Sequence, residues 1–518
     1  MKRSFTLSVL TLLVLLAVPF SCKSVKEEGP LQPIVILYEN DVHCAIDGYS
    51  KLAGLRNAQP DSVYVAVVSS GDYLQGGTAG ALSLGSYIMD IQKVVGYDAM
   101  TLGNHEFDYF TPRLLELVKA YNPPVVCANL YDAHTGERCF PAYILKSFGP
   151  KKVAFIGATT PETVDSEYYA LFDEDGEAIF DLRDDDVYAL VQEATDAARA
   201  EGADYVIVLA HLGEDPIRQN VDSHGLIAAT SGIDAVLDGH SHAVVPTLWL
   251  ENKLGEPVLI SQTGTAFANI GKLTIAPDGT LSNELIPVAT LTDEDPDVKQ
   301  AIETVYAKMD ETASQVLGES EVDLTITDDN GRRLVRRGET NTGDLLADAL
   351  CYVMDAPIAM SNGGGIRTNI PAGTITYGDI TAIFPFINFA YKVELTGDDI
   401  LQVLHHCTRK APEEEDGDFP QVSGIHAVVR LPDHSLSGVE VRNADGSWSP
   451  IDPEGVYTVA TINYCVNAGG FSMLLQDCKI LEKTDIFYRD VVAKYITEKL
   501  GGHIGQEYAR PQGRLVLK

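Results

Sequence analysis

The chain has 518 residues, of which 74 are Asp or Glu and 38 are Lys or Arg, for a formal net charge of −36. This length exceeds a single hydrophobic core and implies at least two large domains. The charge excludes a generic nucleic-acid binder, which needs a basic surface, and disfavours anionic lipid surfaces; an anionic substrate then requires a local cationic site.

Lys2 and Arg3 precede an apolar stretch over residues 5–20, a charged segment followed by a hydrophobic one too short to span a membrane. Residues 1–22 therefore read as a signal peptide. It ends at Ser21-Cys22, which resembles a bacterial lipoprotein cleavage site, although Val18-Pro19-Phe20 departs from the usual pattern. Lipidation of Cys22 is the expectation, with ordinary cleavage nearby as the alternative. The protein is then exported, periplasmic or anchored to the outer membrane of a Gram-negative bacterium, with residues 23–30 as a short tether. The chain has eight cysteines, so seven remain if Cys22 is lipidated, and seven cannot all pair. Cys127 and Cys139 flank a polar, turn-rich stretch and are spaced to close a small loop. Cys351 and Cys407 sit in apolar contexts and read as buried thiols. No CxxC spacing points to a structural zinc site.

One pattern recurs from residue 34 to residue 242. A β-rich apolar run ends, and polar residues of metal-ligand type follow at once. Residues 33–38 lead into Asn40-Asp41-Val42-His43, and 63–68 into Ser69-Ser70-Gly71-Asp72. Residues 97–102 lead into Gly103-Asn104-His105-Glu106-Phe107-Asp108. Residues 205–210 lead into His211, and 233–237 into Asp238-Gly239-His240-Ser241-His242. Amphipathic stretches such as 186–200 lie between them, which is the rhythm of βαβ units. In open α/β sheets, ligands bind beyond the carboxyl ends of the strands, so five such ends can converge on one site. A lone Asp after a strand is ordinarily a turn residue or helix cap; five ligand-type clusters at five strand ends are not explained that way. Asp41 and His43 are one residue apart, as are His240 and His242, so each pair can face one point. The Asn104 amide oxygen suits a hard metal. His105 can contact a reacting group while Asp108 accepts from its other ring nitrogen. Imidazole and carboxylate without thiolate suit zinc, manganese or iron rather than calcium.

In the second half, residues 293–317 are helical in pattern with Pro296 near the start, and read as a connection between domains. Asp328-Asp329-Asn330-Gly331 is a turn. Glu339-Thr340-Asn341-Thr342-Gly343-Asp344 opens a helical run to Leu350. Met360-Ser361-Asn362-Gly363-Gly364-Gly365-Ile366-Arg367 follows a short apolar run. Its glycines let backbone approach a ligand, and Arg367 can grip an anion or stack. Phe384-Pro385-Phe386-Ile387-Asn388, Phe419-Pro420-Gln421-Val422-Ser423-Gly424, Asn463-Tyr464 and Gly469-Gly470 follow.

These motifs, in this order, resemble the calcineurin-like metallophosphoesterases and, more closely, the 5′-nucleotidase family. The resemblance implies an α/β fold. An N-terminal four-layer β-sandwich flanked by helices (31–290) would be followed by a helical linker (291–317) and a C-terminal α/β substrate-binding domain (318–518). It implies two divalent metal ions, zinc, manganese or similar, bridged by Asp72. One is also held by Asp41, His43 and His242, the other by Asn104, His211 and His240. His105 and Asp108 are the implied catalytic dyad, and Gln262-Thr263-Gly264 a stretch supporting the site. In the second domain Asn362, Gly364, Gly365 and Arg367 would hold substrate polar groups, and Phe419 and Tyr464 would clamp a nucleobase. Two departures stand out. Gly338 takes the place of a family arginine, with Arg336 and Arg337 earlier. Phe471 follows the paired glycines where the family has a ribose-binding aspartate, which leaves ribose recognition open. The implied activity is release of phosphate from nucleoside monophosphates or another phosphate ester, with no nucleic-acid polymer as partner. Alternatives are a cyclic-nucleotide phosphodiesterase or nucleotide-sugar diphosphatase on the same metals, or a surface-anchored nucleotide-binding protein without turnover.

Overall fold

The computed structural model describes residues 31–172, 177–214, 221–328, 330–467, 471–475 and 478–518. The expected signal peptide with Cys22, its tether, Asp329 and Gly469-Gly470 lie outside the described residues. Among those described, no helix is long and apolar enough to cross a membrane.

Besides a short pair, Tyr131–Asp132 with Phe180–Asp181, the strands of the first half are, in chain order, β1 (Ile34–Glu39), β2 (Tyr64–Ser69), β3 (Ala99–Met100), β4 (Tyr143–Phe148), β5 (Lys151–Thr159), β6 (Tyr205–His211), β7 (Ala235–Leu237), β8 (Val244–Glu251), β9 (Pro257–Thr263), β10 (Asn269–Ile275) and β11 (Leu281–Pro287). They form two sheets, ordered β11-β10-β1-β2-β3 and β8-β9-β7-β6-β5-β4. In the first, β1, β2 and β3 run parallel. In the second, β5, β6, β7 and β9 do.

The alternation of side chains sorts each strand between two cores. Ile34, Ile36 and Tyr38 of β1 pack with Phe155, Ile207 and Leu209 between the sheets. Val35 and Leu37 point the other way, onto the helices Gly48–Asn57 and Ser86–Val95. Val206, Val208 and Ala210 of β6 meet the helix Val187–Ala200 on the far side. That helix buries Val187, Val191, Ala194 and Ala198, spaced four, three and four residues as one apolar stripe requires. The order is therefore helix, sheet, sheet, helix.

The expected strand over 97–102 is shorter than its apolar run, covering Ala99–Met100. One further bond, Thr101 N to Ser69 O, continues the pairing before the chain turns at Gly103. The connecting helix runs Pro296–Ala313; Asp295 caps it by accepting from Asp297 N and Val298 N, and proline occupies the first turn. The second half centres on a five-stranded sheet ordered Pro420–Ser423, Ile358–Asn362, Val456–Ile462, Phe389–Thr396 and Lys479–Phe487. The helix Asn341–Val353, capped by Thr340 Oγ1, is buried against it. Cys127 and Cys139 are both free thiols, so the expected loop-closing disulfide is absent. Cys127 instead lies buried with its Sγ 3.4 Å from Thr159 Oγ1.

Candidate metal centre and substrate cavity

Parallel pairing aligns the carboxyl ends of β1, β2 and β3, with Glu39 opposite Ser69 and Ser69 opposite Met100. The second sheet meets them there: Ser70 Oγ donates to Leu237 O at 2.7 Å, and His211 Nδ1 donates to Ser70 O at 2.7 Å. Five strand ends from two sheets thus share one edge. Asp41, His43, Asp72, His240 and His242 all have positive φ, between 46° and 77°. This region is sparsely used by residues with a side chain, and its strain of about 1–3 kcal/mol per residue is ordinarily tolerated where function over-determines the backbone.

Ligand atoms of Asp41, His43, Asp72 and His242 all lie within 4.8 Å of one another. His43 Nε2 is 3.0 Å from His242 Nε2, 3.8 Å from Asp41 Oδ1 and 3.7 Å from Asp72 Oδ2. His43 Nδ1 donates to Gln75 O at 3.1 Å, so its Nε2 carries the lone pair. Two ring nitrogens 3.0 Å apart, beside two carboxylates, form a donor set that fits a cation. On the other side His211 Nε2 lies 3.1 Å from Asp72 Oδ2 and His240 Nδ1 lies 3.1 Å from Asn104 Oδ1, with the two rings 5.3 Å apart. His211 Nε2 is buried, facing the Asp72 carboxylate. Its Nδ1–H bond to Ser70 O points Nε2 at Asp72, and although burial disfavours the charged ring, the Asp72 and Asp41 charges push its pKa up to about 10. Burial works against the Asp72 charge, yet His211 and its neighbours hold this carboxyl well below the usual carboxylate range.

Two glycines make the approach close. A Cβ on Gly103 would sit 2.0 Å from Asp72 Oδ1, and one on Gly239 would sit 2.7 Å from His211 Nδ1 and 3.0 Å from Asp41 Oδ2. Glu106 braces the loops. Its Oε1 accepts from Tyr73 N (2.8 Å) and Leu74 N (3.0 Å), its Oε2 from Asp72 N (2.7 Å) and Gly103 N (2.6 Å). Asn40 Nδ2 donates to Asp41 Oδ2 and to Gly264 O, while Asn40 Oδ1 accepts from Thr263 N and Oγ1. Gln262 Oε1 accepts from Ala243 N. Residues 262–264 thus brace the loops that carry Asp41 and His242.

His105 stands beside this group, its ring 5.2 Å from that of His43. Its Nδ1 is 3.0 Å from Asp108 Oδ1, and its backbone N donates to Asp72 Oδ1 at 2.9 Å. Burial disfavours its charged form, but the bond to Asp108 and the Asp72 charge push its pKa up to about 10. Glu167 adjoins Asp108, and burial with that charge raises its carboxyl to about 9.

Asp108 and Glu167 face a cavity of about 820 Å³ between the two halves, whose far wall includes Phe386, Asn388 and Tyr464. A second cavity of about 270 Å³ adjoins it, lined by Arg336, Asn362, Gly364, Gly365, Arg367 and Asp418 among others. It too includes Phe386, Asn388 and Tyr464. Arg367 lies over the Phe386 ring at 5.2 Å.

Comparison with known proteins agrees with this geometry. The calcineurin-like phosphoesterase family matches residues 34–244, and the 5′-nucleotidase C-terminal domain matches residues 316–476. Both domains of a 5′-nucleotidase, the calcineurin-like phosphoesterase and the C-terminal domain, are thus matched along this chain. It is 27% identical over 530 residues to the 5′-nucleotidase of Bos taurus, covering 90% of this chain and 88% of that protein. It is 28% identical to the trifunctional nucleotide phosphoesterase protein YfkN of Bacillus subtilis, covering 85% of this chain but 32% of that protein, so it spans about a third of that relative's length. The crystal structure of a 5′-nucleotidase precursor from Thermus thermophilus superposes with a TM-score of 0.54 at 25% identity, covering 94% of this chain and 99% of that one.

Within this family fold, the seven expected metal ligands and the dyad gather at one edge. Asn362, Gly364, Gly365, Arg367 and Tyr464 gather at the second cavity. One aromatic expectation does not hold. Phe419 is fully buried, and its ring belongs to the core of the second half. Pro420–Ser423 pairs with Ile358–Asn362, and Gly363 N donates to Phe419 O, which draws this residue under the glycine turn. The exposed rings at the cavity are Phe386 and Tyr464, at 43% and 38%. Phe471 is likewise core, 1% exposed, so an aspartate at that place would be buried rather than offered to a sugar. Arg336 enters the cavity where Gly338 left a gap in the family pattern; its Nε is buried without a partner. Sequence reasoning reaches Glu106 only as part of its motif, and it misses Asp418, Asn388, Glu162 and Glu167 as site residues. Glu162 carries a readable signal, because it follows the apolar strand β5 in the same rhythm as the expected ligands follow theirs.

Proposed function

We propose that this protein is a dinuclear-metal hydrolase of phosphate esters, with nucleoside 5′-monophosphates as its substrate class, working outside the cytoplasm. The observation that carries this reading is the cavity that runs from Asp108, the hydrogen-bond partner of His105, to the exposed rings of Phe386 and Tyr464. A phosphoryl group at the metal edge and a base between aromatic faces fit its two ends; such stacking contributes about 1–3 kcal/mol per base. The reading assigns Asp41, His43, Asp72 and His242 to one ion, and Asp72, Asn104, His211 and His240 to the other. It assigns residues 31–290 to the catalytic domain, 291–317 to the linker and 318–518 to substrate binding. Export through residues 1–22, with Cys22 as lipid anchor, is part of the same proposal.

Bound divalent ions supply Lewis-acid charge and an acidified water at neutral pH. The remaining work falls to side chains. In hydrolysis a water oxygen bonds to phosphorus, the ester P–O bond breaks, and the leaving oxygen takes up a proton, giving alcohol and phosphate. His105 donates a hydrogen bond to the oxygen on which charge develops, and Asp108 holds the ring in the tautomer that allows it. Arg336 and Arg367 supply the local cationic site that a chain of charge −36 needs to hold an anion. Asp418, a carboxylate on the same wall, is suited to accept from substrate hydroxyls.

The test is phosphate release by the metal-replete protein across AMP, UMP, cyclic nucleotides, UDP-glucose and non-nucleotide phosphomonoesters. The expected result is fastest release from a nucleoside monophosphate. Turnover confined to cyclic nucleotides or UDP-glucose would overturn the substrate assignment. Ligand binding with no turnover at all would overturn the enzyme reading.

A further inference from the structure

The five strand ends named above leave out β5, which ends beside them. Thr159 of β5 pairs with His211 of β6. The chain then turns through Thr160-Pro161-Glu162, held by Thr160 Oγ1 accepting from Glu162 N at 3.2 Å and by Thr163 Oγ1 donating to Thr160 O at 2.8 Å. The turn brings Glu162 Oε2 to 2.7 Å from His240 Nε2, with both side chains largely buried.

The chemistry of that contact sets the tautomer. A carboxylate only accepts, so His240 Nε2 carries the hydrogen and donates it. The other ring nitrogen, Nδ1, lies 3.1 Å from Asn104 Oδ1. An amide oxygen also only accepts, so a neutral ring held by Glu162 turns a lone pair towards an acceptor. That pairing becomes favourable once a cation lies between them. The opposite tautomer would set an Nε2 lone pair against a carboxylate at 2.7 Å, which is worse. His211 is set in the same manner by the Ser70 carbonyl, so both imidazoles on this side are oriented from behind.

We infer that Glu162 is a positioning residue for His240: its carboxylate fixes the Nε2–H tautomer and aims Nδ1 towards Asn104 Oδ1 as a metal-ligand atom. The inference rests on the metal-site reading above. It separates the two ions, because Glu162 has its contact on the Asn104–His211–His240 side and the Asp41–His43–His242 side is braced by other residues.

The test is a zinc titration of the full chain against a chromophoric chelator, with thermal unfolding of the metal-free protein alongside. Wild type, Glu162→Gln and Glu162→Ala are compared. Wild type is expected to take two equivalents. Glu162→Ala should keep one equivalent at wild-type affinity and bind the second about 10–100-fold more weakly, with its metal-free Tm unchanged. Glu162→Gln, whose amide oxygen accepts the same N–H, should stay near wild type. Two tight equivalents in Glu162→Ala would overturn the inference. So would a fall in metal-free Tm that accounts for the weakened binding and is not rescued by Gln, since Glu162 would then be structural. A wild type that takes fewer than two equivalents would overturn the metal-site reading itself, and this inference with it.

Discussion

Glu106 offers a perturbation whose size follows from the hydrogen bonds. Its carboxylate is 1% exposed and accepts four backbone N–H groups, from Asp72, Tyr73, Leu74 and Gly103. Glu106→Ala strands all four donors. At about 1–3 kcal/mol for each buried unsatisfied group, the loss is about 4–12 kcal/mol, less whatever water regains in the space left. That is comparable to the whole stability of a domain, about 5–15 kcal/mol, so this variant should not hold its fold. Glu106→Gln is the informative one. Its carbonyl oxygen keeps two of the four bonds, and its NH2 group turns donors against the other two. The expected cost is about 2–6 kcal/mol. Because the stranded amides belong to the loops carrying Asp72 and Asn104, metal affinity should fall with stability. Urea unfolding of the metal-free variant followed by circular dichroism, with a zinc titration of the same sample, measures both. A Gln variant within ~1 kcal/mol of wild type, with metal binding unaltered, would refute the bracing role.

Gly103→Ala drives a Cβ to 2.0 Å from Asp72 Oδ1 and 2.8 Å from Asp72 N, so metal affinity should drop by at least about tenfold, or ~1.4 kcal/mol; a normal titration would show that the loop yields. Phe419→Ala should cost about 3–5 kcal/mol in unfolding, as a buried phenylalanine does. Phe386→Ala should leave Tm nearly unchanged and raise the KM for a nucleotide. The reverse split, read by calorimetry and kinetics, would restore Phe419 as the clamp. Burial pushes the thiols of Cys139, Cys407 and Cys465 each up to about 12. At about pH 8, close to the ordinary thiol pKa, the folded protein should therefore resist iodoacetamide at these sites, and peptide mapping without reductant should recover Cys127 and Cys139 as free thiols. A Cys127–Cys139 cross-linked peptide would contradict the fold described.

The metal edge was readable from sequence because it is built from short-range order. Each ligand follows its strand within a few residues, and the strands themselves read as continuous apolar runs because both faces are buried. Which rings face the cavity was not readable in that way. Phe386 and Phe419 sit in similar proline-flanked contexts, Phe-Pro-Phe and Asp-Phe-Pro, and Phe419 is drawn inward by pairing between 420–423 and 358–362, some sixty residues apart. That Arg336 lines the second cavity is likewise a matter of how the turn before Glu339 folds. Glu162 was legible in principle. Thr-Thr-Pro-Glu reads as an ordinary turn, and its meaning appears only when β5 is seen beside β6. The positive φ angles at five ligand positions have no sequence signal, since Asp and His there stand where glycine would be easier.

In the proposed site Asp72 would serve both metal ions, and the His105–Asp108 dyad would touch substrate but no metal. This assignment is tested by measuring metal content and phosphate release together in Asp72→Asn and His105→Ala. Asp72→Asn should lose both metal and turnover. His105→Ala should keep its metal while kcat falls about 10²–10⁴-fold, the usual contribution of a positioned acid or base. Full metal and full turnover in Asp72→Asn, or an emptied metal site in His105→Ala, would contradict the account.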